Sequence, residues 1–213
     1  MLSMGAMFDP IAQQIHRCRD AQSLADCLLY QGLELSRARF GNVQLMNWKV
    51  GYLEIKAQSG FGDEFLNFFK RVYVGDVSAC ARALQKRSSI VIEDVTTDQQ
   101  FVPCCEILTR AGVRAVQSTP MIPSSGAFMG VLSTHFPILH RPGEIEMRNL
   151  RHAAQVAADA LVFIRVNGGS SSYAINASLE IVRDSQDALE RTEKLLSRDP
   201  LHPRMLTMSA LGH

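Results

Sequence analysis

Residues 112–136, GVRAVQSTPMIPSSGAFMGVLSTHF, decide how this chain folds. Two apolar, β-prone flanks, 113–122 and 128–136, enclose a short Ser-Ser-Gly turn punctuated by Pro123 and Gly126, which is the pattern of a hairpin. The unusual feature is polarity. Gln117, Ser118, Thr119, Ser133, Thr134 and His135 stand where a purely structural hairpin would carry Val or Ile. Small polar groups on central strands are a means of lining a pocket, so a ligand-binding module is the first expectation.

Upstream, residues 8–37 carry apolar positions at three- and four-residue spacings (Ile11, Ile15, Cys18, Leu24, Cys27, Leu28, Leu35), with an offset near Asp20 that marks a break between two helices. Residues 40–48 alternate as a strand, with Val43 and Leu45 on one face and Asn42, Gln44 and Met46 on the other. A turn at 49–51 leads to a second strand, 52–58, in which Leu53, Ile55 and Ala57 are expected to share a face. Asp63 is the expected N-cap of a short helix presenting Phe65, Leu66, Phe68 and Phe69. Ser78 caps another over 79–86. A third strand spans 90–95, a polar turn 96–100, and a helix 104–110 that Gly112 ends. The opening hairpin supplies the fourth and fifth strands.

Downstream, a long helix is predicted from about 143 to 164. Its expected apolar stripe is Ile145, Leu150, Ala153, Val156, Ala157, Ala160, Leu161 and Ile164. The run NGGSSS at 167–172 reads as a flexible linker. Beyond it, Ile175, Leu179, Val182, Leu189 and Leu196 keep a 4-3 spacing interrupted by Gln186 and Glu193, a connector helix over 173–198 in search of a partner. Residues 1–7 are an N-terminal extension, and 199–213 are expected to be a mobile tail. Strands joined by hairpins and bracketed by helices imply an antiparallel sheet with helices packed on it, an α+β fold.

Composition narrows the function classes. The formal net charge is +1, which gives no electrostatic case for nucleic acid or an anionic membrane. No apolar run approaches the ~18 residues of a membrane span, and the N-terminus lacks a basic region leading into a long apolar one. Five cysteines (Cys18, Cys27, Cys80, Cys104, Cys105) are an odd count with an adjacent pair, a poor disulfide framework; a reducing cytoplasm is the expected location. No spacing suits zinc, and no metal site is expected.

Together these segments resemble a GAF domain, a small-molecule-sensing module of bacterial signalling proteins. The resemblance rests on FGNVQLMNWKVGYLEIKAQSGF at 40–61, SACARAL at 78–84, SIVIEDV at 89–95, AGVRAVQSTPMIPSSGAFMGVLSTHF at 111–136, and the helix containing HAAQVAADAL. It covers residues 8–166 and is nearest to GAF domains fused to histidine kinases and PAS sensors. It implies a sheet of order 2-1-5-4-3, the N- and C-terminal helices on one face, and a ligand pocket on the other, roofed by residues 60–85 and 98–112. It further implies a non-enzymatic sensor that homodimerises through its terminal helices and signals to a sensor kinase or similar partner.

The expected pocket residues are Asn42 and Gln44 from the first strand, Gln117 and Thr119 from the fourth, and Ser133 and His135 from the fifth. The register that decides which face is inward is not readable from the sequence. Some free-standing GAF proteins reduce free methionine sulfoxide with cysteine thiolates. Cys80 and Cys104 or Cys105 are the residues that would serve here, yet a third cysteine before Gly75 is missing and GVLSTHF lacks the acidic residues that hold that substrate. A pure dimerisation scaffold with a collapsed pocket is the other alternative. The ligand and cofactor are unknown. No covalent bilin is expected, because Cys104-Cys105-Glu106 has no following His. Haem through His135, His140 or His152 is not expected either.

Overall fold

The structure, a computed structural model, describes residues 9–167. The expected extension, connector helix and tail lie outside the described residues, as does the expected linker apart from Asn167. In chain order the elements are α1 (Pro10–Ile15), α2 (Ala21–Ser36), β1 (Phe40–Asn47), β2 (Tyr52–Ser59), α3 (Asp63–Phe68), β3 (Val72–Tyr73), α4 (Ala79–Lys86), β4 (Ile90–Ile92), α5 (Val102–Arg110), β5 (Ala115–Met121), β6 (Gly130–Phe136) and α6 (Glu144–Asn167). A 3-10 turn, Gln99–Phe101, leads into α5.

The break near Asp20 is a helix start. The Asp20 carboxylate accepts from the Ser23 N–H at 2.7 Å, and Ser23 Oγ accepts from the Asp20 N–H, a reciprocal cap that lets α2 leave α1 at a new angle. Ser78 caps α4 as expected, its hydroxyl accepting from the Ala81 N–H at 3.2 Å. A Ser78→Ala variant should lose about 1 kcal/mol of stability in urea unfolding. The cap of α3 is not Asp63 but Gly62, which has no side chain to give.

All strands pair antiparallel in the order β3-β2-β1-β6-β5-β4. Without the two-residue β3 this is the expected 2-1-5-4-3 arrangement, with β4, β5 and β6 as third, fourth and fifth strands. The sheet is covered on both faces. On one, Val43, Leu45, Leu132 and Met121 pack against Leu24, Leu28 and Leu29 of α2 and Leu150, Ala153, Ala157 and Leu161 of α6. On the other, Phe40, Met46, Val116 and Val131 pack under Phe65, Leu84, Phe101 and Leu108 from the intervening short helices.

Two expectations about faces are corrected. Leu53, Ile55 and Ala57 do not share one. The pairing of β1 with β2 runs Val43 to Ala57 and then Gln44 to Ile55, so Lys56 is an extra residue, a β-bulge. It reverses the parity of the strand: Leu53 and Ile55 join the roofed face, whereas Ala57 joins the helical one. In α6, Ile145 is 67% exposed, and the buried stripe takes Ala154 and Ala158 instead. These alanines let the helix sit close against the sheet.

The hairpin turn is fixed from outside. Gly126 adopts φ +87°, and the Ser124 N–H and hydroxyl donate to Asp159 of α6 at 2.8 and 3.1 Å. The loop after β6 is held by Phe136 stacking on His140 and by His140 Nε2 bonded to Glu146 at 2.9 Å. The N-cap Asp9 meets His152 of α6 at 2.5 Å, tying the start of α1 to α6.

Candidate functional site

Register fixes what the alternation of β5 and β6 could not. Asn42 lies opposite Ser133, which lies opposite Ser118; one step along, Phe40 lies opposite His135, which lies opposite Val116. These residues therefore form rows on one face, the roofed one. Asn42, Gln44, Ser118, Ser133 and His135 all line a cavity closed by Phe65, Phe69, Phe101 and Leu108, with Ser78 and Cys80 at the start of α4. The structure thus brings together four of the six expected pocket residues.

Gln117 and Thr119 are placed on the opposite face. They are odd-numbered on a strand whose even positions face the roof, and Gln117 Nε2 approaches Met147 Sδ of α6 at 3.1 Å. Ser118 occupies the position expected for them. Its hydroxyl and that of Ser133 are 2.8 Å apart, a cross-strand pair that satisfies one hydrogen bond for both. That a Ser rather than its larger neighbours faced inward was not legible, because β5 is buried on both faces and alternation carries no signal.

The cavity is small. Its open volume is about 20 Å³, room for about a single water. Its polarity is out of proportion to that size. Asn42 Oδ1, Gln44 Oε1 and both ring nitrogens of His135 are buried without a hydrogen-bond partner among the described residues. Gln44 Nε2 makes one long contact, 3.5 Å, to the Phe69 carbonyl. His135 meets aromatic edges and faces instead of polar partners: Phe61 at 5.0 Å and 82°, Phe65 at 5.8 Å and 86°. Burial alone pushes its pKa down from 6.5 to about 3, so the ring is neutral at pH 7. Buried polar atoms are almost always paired in folded proteins; of the nine unpaired side-chain atoms among the described residues, these four surround one cavity.

The cysteines are all free thiols. Cys80 lines the cavity, with Sγ 3.2 Å from Ser78 Oγ. Burial raises its pKa to about 11, and burial followed by the nearby Cys80 raises that of Cys104 to about 12. Neither is poised as a thiolate at neutral pH. Cys105 is partly exposed, with its sulfur 3.8 Å from the Thr109 hydroxyl. Of the histidines considered for haem, His140 is bonded to Glu146 and His152 to Asp9. Among the described residues no group of three His, Cys, Asp or Glu side chains is placed to hold a metal ion, and no helix is long and apolar enough to cross a membrane.

An antiparallel sheet of this order, with terminal helices behind it and a roof of short helices over β1, β5 and β6, is the GAF fold. Solved structures share it at low sequence identity. The GAF domain of a phosphoenolpyruvate-protein phosphotransferase from Coxiella burnetii superposes with a TM-score of 0.63 at 14% identity, over 74% of this chain and 92% of that one. Free methionine-R-sulfoxide reductase from Neisseria meningitidis, solved with its substrate, gives 0.58 at 18%, over 73% and 86%. The chromophore-binding domain of a bacteriophytochrome from R. palustris gives 0.58 at 14%, over 75% and 60%. At these identities the likeness establishes the fold. No family model matches the sequence, and no curated protein matches it.

Proposed function

We propose that this chain is a GAF-type sensory domain that binds a small molecule between the sheet and its roof and communicates occupancy through α1, α2 and α6. The observation that supports this most is the group of unpaired buried atoms on Asn42, Gln44 and His135, all on adjoining central strands beneath an aromatic cover. A purely structural core would replace such groups with apolar ones at little or no cost. Ligand contacts there would shift the population of roof conformations. The terminal helices expose Tyr30 and Phe163, at 58% and 68%, and a second copy or a signalling partner is the proposed occupant of that surface.

Native mass spectrometry of freshly purified full-length protein, with its absorption spectrum, tests the reading. A bound species of constant mass is expected, and its occupancy should drop in Asn42→Leu and Gln44→Leu variants that keep the wild-type fold. Occupancy unchanged by both substitutions, or a protein left unmoved in melting temperature by every fraction of a cell metabolite extract, would overturn it.

A thiol-based reductase is the second reading, favoured by the cavity-lining position of Cys80. Burial works against it, since the thiolate is the reactive form. In the native protein Cys80 and Cys104 are expected to alkylate at least about tenfold more slowly than Cys105 at pH 7.5, as read by peptide mass mapping. Methionine sulfoxide turnover that is lost on Cys80→Ser would establish the reductase instead.

A further inference from the structure

We propose that the slot now filled by the Phe65 ring is the seat of an uncharged planar ligand bearing a carboxamide or lactam group. This rests on the ligand-binding reading above and names the class of compound. Three observations carry it.

The first is charge. No Asp, Glu, Lys or Arg side chain lines the cavity. A ligand carrying a full charge would be stripped of water there with nothing to compensate it. The second is the hydrogen-bond complement. The Gln44 amide is oriented by its Nε2–H donating to the Phe69 carbonyl, which leaves Oε1 as a free acceptor. Neutral His135 offers one N–H and one lone pair, and Asn42 Oδ1 has no partner. The site therefore asks for N–H donors and a carbonyl acceptor close together, which a neutral amide presents. The third is shape. Phe65 lies flat on Phe61, with ring centroids 3.6 Å apart and planes within 3°, and stands at right angles to His135. Once Phe65 swings away, the space it leaves is one ring thick. Phe65 sits on α3, a six-residue helix with no side-chain cap, entered past Gly60 at φ +85°. Among the described residues, its one ion pair to the rest of the roof is that of Glu64 with Arg110 of α5, both of which are more than half exposed.

Benzamide, benzoate and benzamidinium share one shape and differ in charge, so they separate the terms. Each is titrated into the full chain while the Gln44 side-chain amide and His135 ring resonances are followed by NMR, in wild type, Phe65→Ala and Gln44→Leu. Benzamide should perturb both groups, bind Phe65→Ala at least about tenfold more tightly than wild type, and lose its effect in Gln44→Leu. Its charged analogues should bind at least about tenfold more weakly. Benzoate or benzamidinium binding as tightly as benzamide would overturn the assignment of an uncharged ligand while leaving the ligand-binding reading standing. Benzamide affinity indifferent to Phe65→Ala would overturn the slot. Silence of all three probes in both wild type and Phe65→Ala would overturn the ligand class, leaving the ligand-binding reading to the native mass spectrometry above. Should Phe65→Ala fail to fold, the comparison of wild type with Gln44→Leu decides: a benzamide response that Gln44→Leu leaves intact overturns the proposal.

Discussion

Replacing Gly130 with Ala should destabilise the protein by about 4 kcal/mol or more, a large part of the 5–15 kcal/mol by which most domains are stable. Gly130 opens β6, opposite Leu45 of β1 and Met121 of β5. A Cβ there would stand 2.2 Å from the Gln44 carbonyl oxygen and 3.2 Å from its carbonyl carbon. Those are backbone atoms of the central strand, pinned by the ladder, so neither can move without breaking the pairing of β1 with β6. The same shift would displace Gln44 from the cavity. Gly143, where an added Cβ meets nothing within 4 Å, is the matched control. Denaturant unfolding of the two Ala variants beside wild type gives the comparison. A Gly130→Ala midpoint equal to that of Gly143→Ala would show that β1 and β6 are less closely apposed than described.

The second large effect concerns pH. His135 has a folded-state pKa pushed by burial to about 3, against 6.5 in an unfolded chain. Between those values the unfolded state binds a proton that the folded state refuses. The contribution of this group to stability is therefore intact above about pH 6.5 and falls as the pH drops toward 3. The fall by pH 4.5 should reach about 2.5 kcal/mol relative to pH 7. The other titratable side chain on the cavity wall is Cys80, which carries no charge in this range. His135→Phe fits the aromatic surroundings and removes the titration. The difference between wild type and variant, measured by urea unfolding at pH 7 and 4.5, isolates His135 from the carboxylates that titrate in both. A difference that stays constant between the two pH values would mean that the imidazole is protonated in the folded protein or reaches solvent there.

Much of the architecture could be read from residue pattern. The Pro-Ser-Ser-Gly punctuation at 123–126 and the alternation of Val43 and Leu45 with Asn42 and Gln44 fixed strands and a face correctly, because β1 keeps strict period 2 to its end. The helix break near Asp20 showed as an offset in the apolar spacing, and the structure supplies its cause in the reciprocal cap of Asp20 and Ser23. Three features escaped for physical reasons. The bulge at Lys56 adds one residue without altering composition, and it alone moves Ala57 to the helical face. The choice between Ser118 and the flanking Gln117 and Thr119 depends on pairing with Ser133, a contact across the hairpin that no local pattern encodes. Phe61, whose ring backs Phe65, lies between Gly60 and Gly62, and nothing in that turn context marks it as part of a stacked wall.

The contact between Gly32 of α2 and Leu132 of β6 has a mechanical meaning. A Cβ on Gly32 would fall 2.8 Å from Leu132 Cδ1, so the helix backbone rests on that side chain with no slack. The residues on either side of Leu132, Val131 and Ser133, point the other way, into the roofed face. One backbone thickness separates the two compartments. If the proposed sensing role holds, such a strand would act as a diaphragm, pressure on Ser133 from the roofed side bearing on α2 through Leu132 alone.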